Sequence, residues 1–289
     1  VNISIPYTNF IFAFALLFAV GTSTVVAIYR GQGDLREANE TFTKNTVFLS
    51  VCGLLVTVFA VLNLETLARF LGASETTMPY VKDYLGIIVW FSYFYIVSYS
   101  LEVLVKTDGF PMISTLGVFI GALTNIILDA VFMILFDMGI AGAALATGLS
   151  QVLTFSIFFI HFLRHKGSIR WCRFQFDFRI YKRIIPIGLA DFITELSAGF
   201  IVFMFNHAIL TYIGDAGLVT YTIITYVYNL VMMTFSGISQ GMQPLVSYHY
   251  GKQDVHAYHT FFKYALFSTL IASLFALVIC LFGTKWIVM

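Results

Sequence analysis

Charge is scarce in this chain: only 11% of its 289 residues are Asp, Glu, Lys or Arg. Soluble domains carry about 25%, so a water-facing surface cannot be built from this composition. Cysteine is nearly absent too, and Cys52, Cys172 and Cys280 form no CxxC or other ligand spacing. That excludes a disulfide framework and a zinc site, and all three are expected as free thiols. Five prolines leave the long apolar runs almost unbroken. The sequence lacks a HExxH helix, a nucleophile–base pair at depth and any fold for binding nucleic acid, so it reads as neither enzyme nor nucleic-acid protein. No n-region, h-region and cleavage pattern precedes the first apolar run, and the chain opens on Val1.

What is present is apolar. Hydrophobic residues make up 59%, aromatics 17%, and mean hydropathy is +0.88. A bilayer core of about 30 Å takes roughly 20 residues to cross. Eight runs qualify: Ile3–Ile28, Asn45–Leu64, Tyr84–Leu101, Phe110–Phe136, Met138–Leu163, Ile184–Ile213, Leu218–Ser247 and Tyr264–Met289. In lipid the backbone must satisfy its own hydrogen bonds, so each is expected as a helix and the fold as an all-α polytopic membrane protein. The third, rich in Tyr and Ser, is the weakest.

Lysine and arginine fix the orientation. Loops 30–44, 102–109, 164–183 and 248–263 hold 13 of them against Arg69 and Lys82 in the intervening loops. Those four loops are therefore expected in the cytoplasm of a multi-pass plasma-membrane protein. Loop 164–183 alone carries Arg164, Lys166, Arg170, Arg173, Arg179, Lys182 and Arg183. It fits a topology-setting linker and equally a surface for anionic headgroups.

The chain also repeats itself. Gly21-Thr-Ser-Thr-Val-Val-Ala-Ile-Tyr-Arg-Gly31-Gln-Gly-Asp34 returns 220 residues later as Gly241-Met-Gln-Pro-Leu-Val-Ser-Tyr-His-Tyr-Gly251-Lys-Gln-Asp254. Both copies close an apolar run at an expected cytoplasmic end. Self-similarity at one offset signals a repeated unit, and in a membrane chain it signals a two-lobed transporter. Two parallel six-helix repeats place 1–163 in the first lobe, 164–183 in the linker and 184–289 in the second. One helix would precede Val1 and three would follow Met289. The shared Gly and Asp residues are read as turn and capping residues.

Three carboxylates lie well inside apolar runs: Asp129, Asp191 and Glu195. An intramembrane carboxylate is costly and marks a functional site by default. Asp191 and Glu195 share a helix face at i,i+4 and suit a proton, a sodium ion or an organic cation; Asp191 also fits a headgroup-wetted position. Asn125 and Asp129, again at i,i+4, fit either a cation site or an interhelical polar clamp. Gln240 and Gln243 fit cavity lining or packing. Pro186 and Pro244 interrupt helical bonding and are expected as kinks or hinges.

Several stretches together resemble the multidrug and toxic compound extrusion (MATE) family, its MepA-like branch above all. They are Gly237-Ile-Ser-Gln-Gly-Met-Gln-Pro244-Leu-Val-Ser-Tyr-His-Tyr-Gly251, Asp108-Gly-Phe-Pro111, Asn125-Ile-Ile-Leu-Asp129 and Gly139-Ile-Ala-Gly-Ala-Ala-Leu-Ala-Thr147, with Pro186 and Asn206 in place. The resemblance implies a monomeric, V-shaped, twelve-helix exporter of small amphipathic cations, with this chain spanning helices 2 to 9. It implies alternating access driven by H+ or Na+, with no cofactor. A carboxylate in the helix of Glu195 takes part in cation coupling in one branch. A lipid-linked oligosaccharide flippase of the same superfold is the alternative, but it calls for several Arg or Lys inside the spans, where this chain has only Lys285 near the end of the last.

Overall fold

The computed structural model describes residues 2–175, 177–212 and 215–288. The side chains of 2, 203, 206, 207, 210, 215–220, 222, 223 and 283–288 fall outside that description, Asn206 among them. Eight long helical elements are present: α1 (Ile5–Gly31), α2 (Leu35–Leu62), α4 (Met78–Ile88) joined to α5 (Ser92–Thr107), α6 (Pro111–Ala130), α7 (Gly139–Leu163), α8 (Tyr181–Tyr212), α9 (Asp215–Gly251) and α10 (Val255–Val288). A short α3 (Leu64–Phe70) lies between α2 and α4. Seven segments of the described residues are long and apolar enough to cross a membrane.

Proline placement explains much of this regularity. Pro6, Pro79 and Pro111 occupy the first turns of α1, α4 and α6, where a missing N–H costs nothing. Pro186 and Pro244 lie inside α8 and α9, and both helices run through them unbroken.

The helices outrun their apolar cores. The expected loops 30–44 and 248–263 shrink to the turns at 32–34 and 252–254, and α5 continues through most of 102–109. Polar first turns hold the extra length of α2. Asp34 accepts from the Glu37 N–H at 3.1 Å, and Glu40 pairs with Arg36 at 3.1 Å and Lys44 at 3.2 Å. Such i,i+4 pairs support helix beyond the hydrocarbon. The weak third span is two helices around a 3-10 turn at Val89–Phe91. There Thr57 Oγ1 accepts the Tyr93 N–H at 3.1 Å, and Tyr7 bonds Ser92 at 2.7 Å.

The repeated turns match bond for bond. Gln32 N–H donates to Ile28 O and Asp34 N–H to Tyr29 O, as Lys252 does to Tyr248 O and Asp254 to His249 O. Asp254 caps Ala257 at 3.0 Å as Asp34 caps Glu37. Gly33 and Gln253 both take positive φ, +81° and +58°.

Gly31 and Gly251 prove to be packing residues rather than turn residues. A Cβ at Gly31 would meet the backbone of Tyr248 and Lys252, and one at Gly251 would meet Ile28 O. Ile28 and Tyr248 are themselves related by the 220-residue offset. Thus α1 and α9 cross at their basic ends through a reciprocal, twofold-like contact. Further along α1, Gly21 admits Ile184 and Leu17 sits against Gly188 of α8. α1 is the central helix, with 72% of its most apolar window buried, against 0% for α10.

Candidate functional site: a polar cavity between α5, α6 and α7

Three helices each turn one stripe toward a shared space. Tyr95, Ser98, Tyr99 and Glu102 come from α5; Val118, Gly121, Ala122 and Asn125 from α6; Thr147, Ser150, Gln151 and Thr154 from α7. Each set follows the i, i+3, i+4, i+7 spacing of a single helix face. Gly121 lets α6 come close to Thr154. The cavity has a volume of about 260 Å³.

Its two ends differ. At one, Glu102 accepts from Lys106 Nζ at 2.7 Å and Ser114 Oγ at 3.5 Å. At the other, Asn125 Nδ2 donates to Thr147 Oγ1 at 3.4 Å. One turn beyond Asn125 lies Asp129, whose Oδ1 is buried with no hydrogen-bond partner. α6 then widens into a π-helical turn at Val131–Leu135, a distortion that often accompanies functional sites.

The α8 carboxylates lie outside this lining, since α8 packs chiefly on α1. The Tyr99 hydroxyl is buried with no hydrogen-bond partner among the described residues. Asp191 is exposed and Glu195 half-buried, and neither has an ion-pair partner among the described residues. Phe12 of α1 packs edge-on against Tyr99 and Tyr95 with centroids 5.0 and 6.2 Å apart. Of the expected polar residues the cavity lining takes in Asn125, with Asp129 one turn beyond it, and leaves Asp191 and Glu195 on α8.

It leaves other expected residues elsewhere. Gln243 donates to Val20 O at 3.1 Å and to Thr24 Oγ1, tying α9 to α1. Gln240 is half-buried one turn earlier, and Pro244 is buried. Neither Pro186 nor the glutamines line the cavity. Glu102, Tyr95, Tyr99, Thr147 and Gln151 are lining residues that the sequence reading passed over. Their signal was available: Tyr95-Ser98-Tyr99-Glu102 is a helical stripe, but the apolar window ended at Leu101.

The basic end holds a second buried polar cluster. Asp108 Oδ2 lies 3.0 Å from His161 Nε2, both side chains at most 2% exposed. Asp108 Oδ1 accepts from Ser168 N–H, Ser168 Oγ and Ile169 N–H at 2.9, 3.2 and 3.0 Å. Arg30 donates to the carbonyls of Thr107 and Asp108, capping the end of α5. No group of three potential metal ligands occurs among the described residues.

Known proteins share this architecture. The MatE family model matches residues 1–131 and 187–289. The chain is 25% identical over 252 residues to multidrug export protein MepA of Staphylococcus aureus (strain bovine RF122 / ET3-1), covering 86% of this chain and 56% of that protein. It is 24% identical over 254 residues to MepA of Staphylococcus saprophyticus, with the same coverage. A crystal structure of a MATE protein in the bent conformation superposes with a TM-score of 0.87 at 21% identity, over 99% of this chain and 64% of that one. A transporter of the MOP superfamily from Pyrococcus furiosus gives 0.88 at 22% identity, over 99% and 64%. The chain thus spans little more than half the length of the curated relatives it matches, and those relatives are transporters rather than enzymes. On the extent of the family match, with this helical membrane fold, the chain belongs to the MatE family.

Proposed function

We propose that the protein to which this chain belongs is a multidrug exporter that moves small amphipathic cations out across the plasma membrane in exchange for H+ or Na+. The observation that carries this reading is the polar cavity lined by Tyr95, Tyr99 and Glu102 of α5 and Asn125 of α6, with the unpaired carboxylates Asp191 and Glu195 on α8, a helix that like α5 packs on α1. Carboxylates supply the counter-charge for a cation, and tyrosine rings offer it π-faces. The space between them suits a small flat molecule.

The coupling ion is assigned to the Asn125 end. Asp129 Oδ1 is buried and unpartnered, and Asn125 and Thr147 supply further oxygens within reach of α6 and α7. Substrate and ion then compete for a limited set of negative charges. Whichever binds shifts the balance between inward- and outward-open forms, which is the thermodynamic content of alternating access. A pyrophosphate-carrying lipid would need free cations in this cavity. Among the described residues no Lys or Arg lines it, and Lys106, one turn beyond Glu102, is already paired with that residue.

The test is efflux of a fluorescent organic cation from energised vesicles containing the complete protein, under a proton or a sodium gradient. Transport should require one gradient. Glu195→Gln and Asp129→Asn should abolish coupling while leaving expression intact, and Glu102→Gln should weaken cation binding. No gradient-dependent movement of any cation would overturn the proposal. Full activity in Glu195→Gln would remove that residue from the mechanism.

A further inference from the structure

The segment between α7 and α8 is more ordered than a connector needs to be. Residues 167–172 are strapped across the ends of α2, α5 and α7. Asp108 binds the backbone at Ser168 and Ile169. Asn39 Oδ1 accepts the Arg170 N–H at 2.8 Å, and Thr43 Oγ1 accepts the Cys172 N–H at 3.2 Å. Trp171 packs on Phe42 with centroids 4.7 Å apart. Gly167 has no room for a Cβ, because Asp108 occupies that position.

With its backbone held inward, the strap presents its cations outward. Arg164, Lys166, Arg170 and Arg173 are exposed, and none has an acidic partner among the described residues. Five cations elsewhere are neutralised, Arg36 and Lys44 by Glu40, Arg69 and Lys82 by Glu65, Lys106 by Glu102, whereas within ten positions the strap concentrates four without an acidic partner among the described residues. No acidic residue occurs between Arg164 and Phe174. Immediately beside this charge lie Ile160 and Leu163, 44% and 51% exposed in the last turn of α7. Exposed hydrocarbon abutting unpaired cations marks the boundary between acyl chains and headgroups.

We propose that this strap is a binding surface for anionic phospholipid, with the headgroup phosphate over Arg164, Lys166, Arg170 and Arg173 and an acyl chain along Ile160 and Leu163. The charge bias places this end in the cytoplasm, whose leaflet is rich in anionic lipid. The apolar edge favours a lipid over an acidic protein, which would leave Ile160 and Leu163 uncovered. Each cation near such a surface strengthens binding about fivefold.

The experiment measures binding of fluorescent phosphatidylglycerol to the purified complete protein in nanodiscs of phosphatidylcholine, at low and high salt. The parent and a Lys252→Gln/Lys263→Gln control should bind alike. Arg164→Gln and Arg170→Gln should each lose about fivefold, and the combined variant with Lys166→Gln and Arg173→Gln at least about 25-fold. The Arg164→Lys/Arg170→Lys/Arg173→Lys variant should retain binding, and added salt should weaken it in the parent. Unchanged affinity in the single variants, or displacement of the lipid by inorganic phosphate at equal concentration, would overturn the proposal. So would equal binding of phosphatidylcholine.

Discussion

Adding one methyl group at Gly31 or Gly251 should open the basic end of the helix bundle. In each case a Cβ would press on a carbonyl of the facing helix, with further backbone atoms of Tyr248 or Ile28 about it. A carbon–oxygen contact relaxes at about 3.3 Å, so α1 and α9 would have to part by about 1 Å. Overpacking of this kind costs about 1–3 kcal/mol. The helix-propensity gain of Gly→Ala acts on closed and open forms alike, so the cost falls only on the form in which the helices touch. A shift of that size changes the closed-to-open ratio about 5- to 150-fold. The assay is modification of Gln240→Cys by a membrane-impermeant thiol reagent applied from the cytoplasmic side, with Cys52, Cys172 and Cys280 replaced by Ser. Gly31→Ala and Gly251→Ala should speed labelling by about that factor. Gly237→Ala and Gly241→Ala, where a new Cβ meets nothing within 4 Å, serve as controls. Equal labelling across all four would refute the reasoning.

Asp108→Ala should destabilise the basic end by about 3 kcal/mol or more, because it strands His161 and three strap donors in a buried site; limited proteolysis should then cut between 164 and 180, and an unchanged cleavage pattern would count against the clamp. Glu65 is held below its ordinary value of 4.5 by Lys82 first and Arg69 second. A depressed folded value stabilises above the unfolded one and is lost as pH falls through it. Melting curves of Glu65→Gln and parent should therefore differ slightly near neutral pH and converge below about pH 4.5, with the difference shrinking in salt; a pH-independent gap would contradict this.

How much of this was legible depends on how local each feature is. The spans were, since a run such as Ile184–Ile213 has no other way to satisfy its backbone. The capping roles of Asp34 and Asp254 were legible too, because both bond within their own turn. Helix ends were not: the first turns of α2 and α10 are polar, and hydropathy stops where lipid stops. The cavity was half visible. Asn125 announced itself as a polar group in apolar surroundings, as did Asp129 one turn beyond it, whereas Asp191 and Glu195, equally conspicuous, lie on α8 outside the lining. Glu102 sat one residue past a window, and the meeting of three stripes is a property of packing that no single helix encodes. Gln243 looked like a cavity residue but serves α1, because its partners Val20 and Thr24 lie more than 200 residues away.

The strap also sets the length of a leash. Anchored through Cys172, the chain has only residues 173–180 before α8 begins at Tyr181. Nine steps of at most about 3.6 Å give a reach of about 32 Å when fully drawn out, and about 28 Å if the 3-10 turn at Phe178–Ile180 stays wound. The start of α8 therefore stays within about 28–32 Å of Cys172, a bound that the far ends of the helices do not share. Large excursions are left to the opposite end of the bundle, so the connector itself biases any rocking motion toward pivoting near the basic face.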